Sequence, residues 1–158
     1  MRQPVGCYRI ITVGRQLGVG VAGSHFLEVS AVAKKNTARL PYCVPNELIC
    51  GEIGRFLRLP VPPCGIVRSD VSRKDVWFAS LDFTSAGDTP PPADARQCAK
   101  RLPDLVTGIL CFDILVANTD RHCGNMAFES RNLRMHIFDH SHALFGCAGS
   151  GQGRVSRL

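Results

Sequence analysis

Several features of membrane and secreted proteins are missing from this sequence of 158 residues. No uninterrupted apolar run approaches the roughly 20 residues that a helix needs to span a bilayer, so no membrane span is expected. The eight cysteines include no Cys-x-x-Cys pair, and no secretory leader is recognisable ahead of them. Reduced thiols in a cytoplasmic protein are therefore expected rather than a disulfide scaffold.

Lysine is scarce as well. The net charge of +6 comes from 15 Arg and only 4 Lys set against 13 acidic residues, and basic residues never occur more than two in a row. Arginine prefers planar partners such as phosphate and carboxylate, so a polyanionic ligand fits this composition. A scattered basic surface explains the charge equally well, and without a basic run nucleic acid is not a favoured partner.

What is present is the composition of a globular protein, 45% hydrophobic and 20% charged. The length suffices for one core or for two small lobes that face each other across a cleft. The residue patterns predict a two-lobed α+β fold: a β-rich N-lobe over residues 1–83, a proline-rich linker over 84–95, a short helical C-lobe core over 96–146 and a flexible tail over 147–158.

In the N-lobe, β-branched and glycine-rich stretches predict a hairpin over residues 7–33. A helix is expected from Asn46, as its cap, to about Arg58, because apolar residues recur there at helical spacing. Residues 64–68 and 76–83 are rich in β-branched and aromatic residues and predict two further strands. The N-lobe is therefore expected to be an antiparallel sheet with one helix.

In the C-lobe, Pro103 and Asp104 are expected to begin a strongly apolar, buried helix. A polar loop over residues 117–125 follows, and then a hairpin whose turn is residues 129–132. Binding and catalytic residues concentrate on polar loops that rigid elements hold in place. This loop is therefore the candidate site.

Asp120 and Asn125 in this loop are separated by four residues, as are the catalytic Asp and the metal-binding Asn of protein kinases. Asp139 follows the hairpin, which should bring the chain back beside Asn125. Together Asn125 and Asp139 offer oxygen ligands to Mg²⁺, whose octahedron phosphate oxygens and water can complete. Asp120 can accept the proton of an attacking hydroxyl. The pattern predicts phosphate transfer with ATP and Mg²⁺.

Two blocks of the sequence resemble the HipA-like kinases and, more distantly, the phosphatidylinositol 3- and 4-kinases, whose catalytic loops also read Asp-Arg-His-x-x-Asn. One block is residues 112–122, and the other joins residues 46–48 to residues 57–62. The resemblance implies transfer of the ATP γ-phosphate to a hydroxyl, with a protein Ser or Thr as the favoured acceptor. It gives the same base and magnesium-ligand roles to the three residues Asp120, Asn125 and Asp139.

The resemblance also implies roles for residues outside that group. Lys34 is expected to hold the nucleotide phosphates, with Lys35 as the alternative. Glu47 is expected to pair with this lysine, and His122 to organise the catalytic loop. Helical periodicity instead places Glu52 on the apolar stripe of its helix, where a carboxylate needs a cationic partner. Glu47 and Glu52 therefore stay open as alternatives.

Three glycines upstream of Lys34, namely Gly18, Gly20 and Gly23, fit a Gly-x-Gly-x-x-Gly pattern, in which backbone N–H groups can approach phosphate. A flexible hairpin turn explains the pattern about as well. Its position upstream of Lys34 is what favours a phosphate-covering loop.

Other interpretations compete with the kinase prediction. His136, Asp139 and His142 are evenly spaced, but a strand would not bring their side chains together on zinc. Asp113 is expected to be a structural acceptor for the loop backbone and is the next candidate for the base. Arg121 is expected to pair with an acid or with phosphate.

Asp139 is followed by His140 and Ser141 rather than by Phe-Gly, and the chain ends about twenty residues later, so a short C-lobe is expected. Two alternative functions therefore stay open beside a protein kinase. One is a nucleotide-binding regulatory pseudokinase without turnover, such as a component that binds an antitoxin-like partner. The other is a kinase for a lipid or a small molecule.

Overall fold

A computed structural model describes four stretches of the chain: residues 10–18, 23–68, 75–84 and 92–146. The described part is a mixed α+β fold with three α-helices and three small antiparallel sheets. The predicted tail over 147–158, most of the predicted linker over 84–95 and Gly20 lie outside these stretches.

The first sheet is a hairpin of β1 (Ile10–Gln16) and β2 (His25–Val29), paired antiparallel from Ile10 opposite Val29 to Gln16 opposite His25. This confirms the first predicted hairpin. Gly23, just before β2, has a φ of +61°, a backbone conformation that glycine adopts without the steric cost of a Cβ. The predicted second strand is interrupted at Ser30, after which the chain enters another sheet.

That second sheet contains β3 (Ala31–Lys34), β4 (Cys64–Arg68) and β5 (Val76–Leu81), with β5 in the centre. Both outer strands run antiparallel to β5, and their pairing places Lys34 opposite Phe78. Helix α1 (Cys43–Phe56) packs against β4 and β5. The sheet and the helix together fix where Lys34 lies relative to the first turn of α1.

Asn46 does not cap α1, so this prediction was wrong. It lies inside the helix and is fully buried, donating from Nδ2 to the carbonyl of Ser141 (2.9 Å) and accepting from the N–H of Phe145 (3.4 Å). The first turn is satisfied by Asn36, whose Oδ1 accepts from the N–H of Val44 at 2.8 Å. The helix therefore begins earlier than expected, because a residue outside it supplies the acceptor.

The remaining elements follow in chain order: α2 (Ala95–Arg101), α3 (Pro103–Leu115), a 3₁₀ turn (Cys123–Asn125), β6 (Met126–Glu129) and β7 (Arg134–Ile137). Pro103 occupies the first turn of α3, as predicted. The antiparallel pair of β6 and β7 confirms the second predicted hairpin. Helix α2 was not predicted, although Asp94 caps it by accepting from two N–H groups of its first turn.

The hydrophobic core forms where α3 meets α1 and the second hairpin, around fully buried residues that include Cys50, Ile109, Phe112, Val116, Met135 and Ile137. Helix α3 was expected to be buried, but only one side of it is. The other side exposes three large apolar residues: Leu110, Ile114 and Leu115. Within the described stretches, no helix has the length and apolar character needed to cross a membrane.

Candidate active site

A cleft of about 160 Å³ is formed by residues of β3, α1, β5 and the segment that follows β7. Its walls are mainly apolar and include Val32, Val61, Phe78, Leu81, Phe83 and Phe138. Five ionisable residues also line it, namely Asp82, His140 and the three residues Lys34, Glu47 and Asp139. Sequence analysis had assigned the last three to the phosphate end of a nucleotide site.

These three side chains are in direct contact. The Nζ atom of Lys34 lies 2.6 Å from Oε1 of Glu47 and 2.9 Å from Oδ1 of Asp139. Glu47 is almost completely buried, with 2% of its side chain exposed, whereas Lys34 and Asp139 keep 27% and 35%. The lysine therefore joins a buried helix carboxylate to a carboxylate at the open part of the cleft.

The surroundings keep the cluster ionised. Burial raises the pKa of Glu47, but the nearby His140 and Lys34 outweigh burial and hold this pKa below its ordinary value. Burial lowers the pKa of Lys34, but the two carboxylates outweigh burial and hold it above its ordinary value. At neutral pH the site therefore presents a lysine ammonium between two carboxylates.

The alternatives Glu52 and Lys35 lie elsewhere. Glu52 is exposed and pairs with Arg55, with Oε1 and NH1 3.0 Å apart. Lys35 places its Nζ 5.0 Å from the centre of the Trp77 ring, on the surface. Neither residue lines the cleft, so only Lys34 and Glu47 form the pair that the resemblance implied.

Helical periodicity predicted that Glu52 lies on the buried side of α1, because the large apolar residues of the helix recur on that side. This prediction was wrong. The helix instead buries a side rich in small residues, including Cys50, Gly51 and Gly54. A Cβ on Gly51 would come within 2.7 Å of the Cys64 sulfur, and one on Gly54 within 2.7 Å of Val61 Cγ2. This close packing against β4 and the segment before it places Glu47 inside the protein and leaves Phe56 86% exposed.

The catalytic loop predicted around Asp120 is held by local hydrogen bonds. The buried Asn125 donates from Nδ2 to the carbonyl of Asp120 (2.9 Å), and the N–H of Asp120 donates to Asn118 Oδ1 (3.3 Å). His122 accepts from the N–H of Gly124 at its Nδ1 (3.0 Å) and so caps the 3₁₀ turn. His122 thus contacts the loop itself and does not line the cleft.

The second hairpin brings Asp139 back beside the loop. The N–H of Phe138 donates to the carbonyl of Asn125 at 3.2 Å, so the two predicted metal ligands lie at the same end of the β6–β7 pair. Asp139 has a φ of +62°, a left-handed conformation that is uncommon for non-glycine residues and concentrates at functional sites. Its Oδ1 also accepts from the hydroxyl of Ser141 at 2.6 Å.

The donor set fits magnesium better than zinc. One carboxylate and one amide suit Mg²⁺, which takes its other ligands from phosphate and water. Among the described residues, no group of three or more His, Cys, Asp or Glu side chains is arranged to hold a metal. His136, for which the sequence disfavoured a zinc role, stacks on the ring of Phe83 with centroids 4.2 Å apart.

Two residues next to Asp139 complete the site and were missed as site residues. His140 is buried, places its Nδ1 3.7 Å from Oε2 of Glu47, and packs edge-on against Phe112. Ser141 is the hydrogen-bond donor to Asp139. The signal for both was the departure from Phe-Gly after Asp139, because polar residues at these positions supply the two carboxylates with partners.

The described part of the glycine pattern is not brought to the cleft. Gly18 and Gly23 are not among the residues that line it, and Gly20 lies outside the described stretches. A Cβ placed on Gly18 would meet no other atom within 4 Å. The hairpin-turn interpretation explains the two described glycines without a ligand.

Asp139 gives the protein a defined acid sensitivity. Burial raises the pKa of its carboxyl, but Lys34 and Ser141 outweigh burial and lower this pKa from 3.8 to about 2. Because the folded-state pKa is the lower one, Asp139 stabilises the fold above pH 3.8, and this contribution is lost as the pH falls toward about 2. Urea unfolding of wild type and Asp139→Asn should show a smaller loss of stability in this pH window for the variant. An equal loss in both proteins would contradict the ion pair.

Comparison of the chain with models of known protein families and with curated proteins gives no match. The functional assignment therefore depends on the geometry of the site and on the two sequence blocks that carry the kinase resemblance. The geometry brings together Lys34, Glu47 and Asp139, to which the resemblance implied roles at a nucleotide site.

Proposed function

We propose that the protein is an ATP- and Mg²⁺-dependent phosphotransferase of the HipA-like kinase type, with a two-lobed architecture and ATP bound in the cleft. One observation carries this proposal: the ammonium of Lys34 contacts both Glu47 and Asp139. The kinase resemblance requires a lysine for the nucleotide phosphates, a helix glutamate that pairs with it and an aspartate for the metal. Lys34, Glu47 and Asp139 come from distant parts of the sequence, and the fold brings them into contact.

The walls of the cleft suit the rest of a nucleotide. Small-molecule sites are mostly apolar with a few polar groups that fix orientation. Here the apolar residues Val32, Val61 and Phe78 would enclose the adenine ring of ATP, while Lys34 would hold the phosphates. The buried Glu47 would hold the flexible lysine side chain in place, which reduces the entropy lost when the phosphates bind.

Asn125 and Asp139 would hold Mg²⁺, which neutralises charge on the phosphate oxygens during transfer. Asp120 would accept the proton of the attacking hydroxyl. Its carboxylate forms no hydrogen bond or ion pair with any residue in the described stretches, so it is free for this role. The acceptor is a protein Ser or Thr on the strength of the resemblance, and a lipid or small-molecule hydroxyl is the enzymatic alternative.

A nucleotide-binding regulatory protein without turnover is the second candidate, for instance a component that binds an antitoxin-like protein. The exposed apolar side of α3, with Leu110, Ile114 and Leu115, favours it. Exposed apolar patches mark protein interfaces when they are contiguous. This candidate shares the nucleotide site and differs only in the absence of phosphate transfer.

Binding of ATP is expected to need Mg²⁺ and to weaken in Asp139→Asn. Loss of a residue that only hydrogen-bonds to a metal ligand costs about 10–100-fold in metal affinity. Loss of a ligand itself should therefore raise the Mg²⁺ concentration for half-maximal ATP binding at least about tenfold. Calorimetric titration with ATP in Mg²⁺ and in EDTA measures this. Asp104→Asn, in the exposed first turn of α3, is the matched control and should behave as wild type.

A thermal scan provides an independent reading of the same binding. ATP and Mg²⁺ present at about 100 times the dissociation constant should add roughly 2.7 kcal/mol to the free energy of unfolding. Equal ATP affinity with and without Mg²⁺ would contradict the metal site. No binding of ATP in either condition would contradict the proposed function as a whole.

A further inference from the structure

Arg121 is buried at a point where three segments of the chain meet. Its Nε lies 3.0 Å from Oδ2 of Asp113 in α3, and its NH2 lies 3.1 Å from Oδ1 of the same carboxylate. Its NH1 donates to two backbone carbonyls, those of Asn125 (2.9 Å) and Phe138 (2.8 Å). Only 8% of each charged side chain, Arg121 and Asp113, is exposed.

This arrangement uses the shape of arginine. The guanidinium offers five N–H donors in one plane, and four of them are used here in a fixed fork. The carboxylate of Asp113 accepts a further bond from Nδ2 of Asn118 at 2.9 Å, so its orientation is fixed as well. Asp113 was expected to accept from the loop backbone, but it acts on the loop through the side chains of Arg121 and Asn118.

The two carbonyls that Arg121 holds have a direct bearing on the candidate site. One belongs to Asn125, and the other belongs to Phe138, the residue immediately before Asp139. Arg121 itself immediately follows Asp120. A single buried guanidinium thus connects the proposed base to the backbone on both sides of the proposed metal position.

We propose that Arg121, oriented by Asp113, is a positioning residue that sets the separation of Asn125 and Asp139 and thereby the affinity of the site for Mg²⁺. This inference rests on the proposed function, because it assigns Mg²⁺ to those two residues. A guanidinium that only stabilised the fold would affect ATP binding equally with and without metal. A positioning role should affect mainly the metal-dependent part, since among the described residues that line the cleft Arg121 hydrogen-bonds only to the backbone carbonyl of Phe138.

The test is the Mg²⁺ dependence of ATP binding in Arg121→Lys. Lysine keeps the charge but cannot reach a carboxylate and two carbonyls together, so the Mg²⁺ concentration for half-maximal binding should rise about 10–100-fold. The weaker ATP affinity that remains in EDTA should match that of wild type. Asp113→Asn, which keeps the size of the carboxylate but weakens its hold on Arg121, should shift the Mg²⁺ requirement in the same direction.

The exposed pair of Arg55 and Glu52 provides matched controls, since Arg55→Lys and Glu52→Gln make the same changes away from the cleft and should leave the Mg²⁺ requirement unchanged. A folded Arg121→Lys protein, or a folded Asp113→Asn protein if the first does not fold, with a wild-type Mg²⁺ requirement would overturn the inference. That result would leave the proposed function standing. A wild-type protein whose ATP binding ignores Mg²⁺ would overturn both, so the two failures are distinguishable.

Discussion

Replacing Asp120 by alanine is expected to slow phosphate transfer by a factor of about 10²–10⁴, the usual size of a general-base effect, while ATP affinity changes little. The physical reason is the position of the residue. Its backbone carbonyl and N–H support the loop, whereas its carboxylate has no partner within the described stretches. The side chain can therefore be removed without removing a contact that holds the nucleotide site.

The measurement is the rate of transfer from γ-labelled ATP beside the ATP dissociation constant of the same preparation. Asp104→Ala, an exposed aspartate in the first turn of α3, is the control and should keep the wild-type rate. Transfer that survives in Asp120→Ala would show that the base lies elsewhere. The binding of Asp113 to Arg121 and Asn118 makes Asp113 a poor substitute, although the sequence alone left it open.

Replacing Lys34 by methionine is expected to lower the free energy of unfolding by about 3 kcal/mol and to weaken ATP binding. Removing one partner of a buried ion pair costs about 3–5 kcal/mol, because the other charge stays buried without compensation. The lower end applies here, since 27% of the lysine side chain is exposed and His140 still faces Glu47. Replacing both partners, in Lys34→Met with Glu47→Gln, should recover part of the loss.

Lys35→Met is the matched control, because it makes the same change one residue further along the chain. Its ammonium faces the Trp77 ring at the surface, an interaction worth about 0.5–1 kcal/mol, so the loss of stability should not exceed this range. Urea unfolding at neutral pH of wild type, Lys34→Met, the double variant and Lys35→Met measures these changes in stability. A Lys34→Met protein as stable as wild type would contradict the view that this lysine compensates the buried charge of Glu47.

The sequence predicts those parts of the site that depend on local spacing. Asp120, Asn125 and the second hairpin follow one another within a short stretch, so their order and the return of the chain toward Asn125 could be read from turn signals and β-patterns. The pairing of β6 with β7 then brings the residue before Asp139 into contact with Asn125. Nothing distant is needed for that step.

The predictions that were wrong concern contacts between residues far apart in the chain. Asn46 has the sequence signature of a cap, but its partners Ser141 and Phe145 are 95 and 99 residues away and draw it into the interior. The face that α1 buries is decided by how closely Gly51 and Gly54 allow it to approach its neighbours. Hydrophobic periodicity weighs large side chains and therefore pointed to Glu52.

The partner of Arg121 could not be decided from the sequence either. The sequence offered an acid or a phosphate as its partner, and both are chemically sound for a guanidinium. Only the fold brings Asp113, on the preceding helix, into bidentate contact with it. Once that pair is buried, the remaining donors of Arg121 have to find acceptors, and the carbonyls beside the proposed metal ligands provide them.

The central claim is that this cleft transfers phosphate, and incubation of the wild-type protein with γ-labelled ATP and Mg²⁺ tests it most directly. Three sources of acceptor hydroxyls are tested: the protein itself, a lysate of proteins and a lipid extract. Bound ATP is measured in parallel. The account predicts an Mg²⁺-dependent phosphoester on a hydroxyl, abolished in EDTA. Bound ATP with no transfer to any acceptor would contradict the claim and would leave a nucleotide-binding protein without turnover.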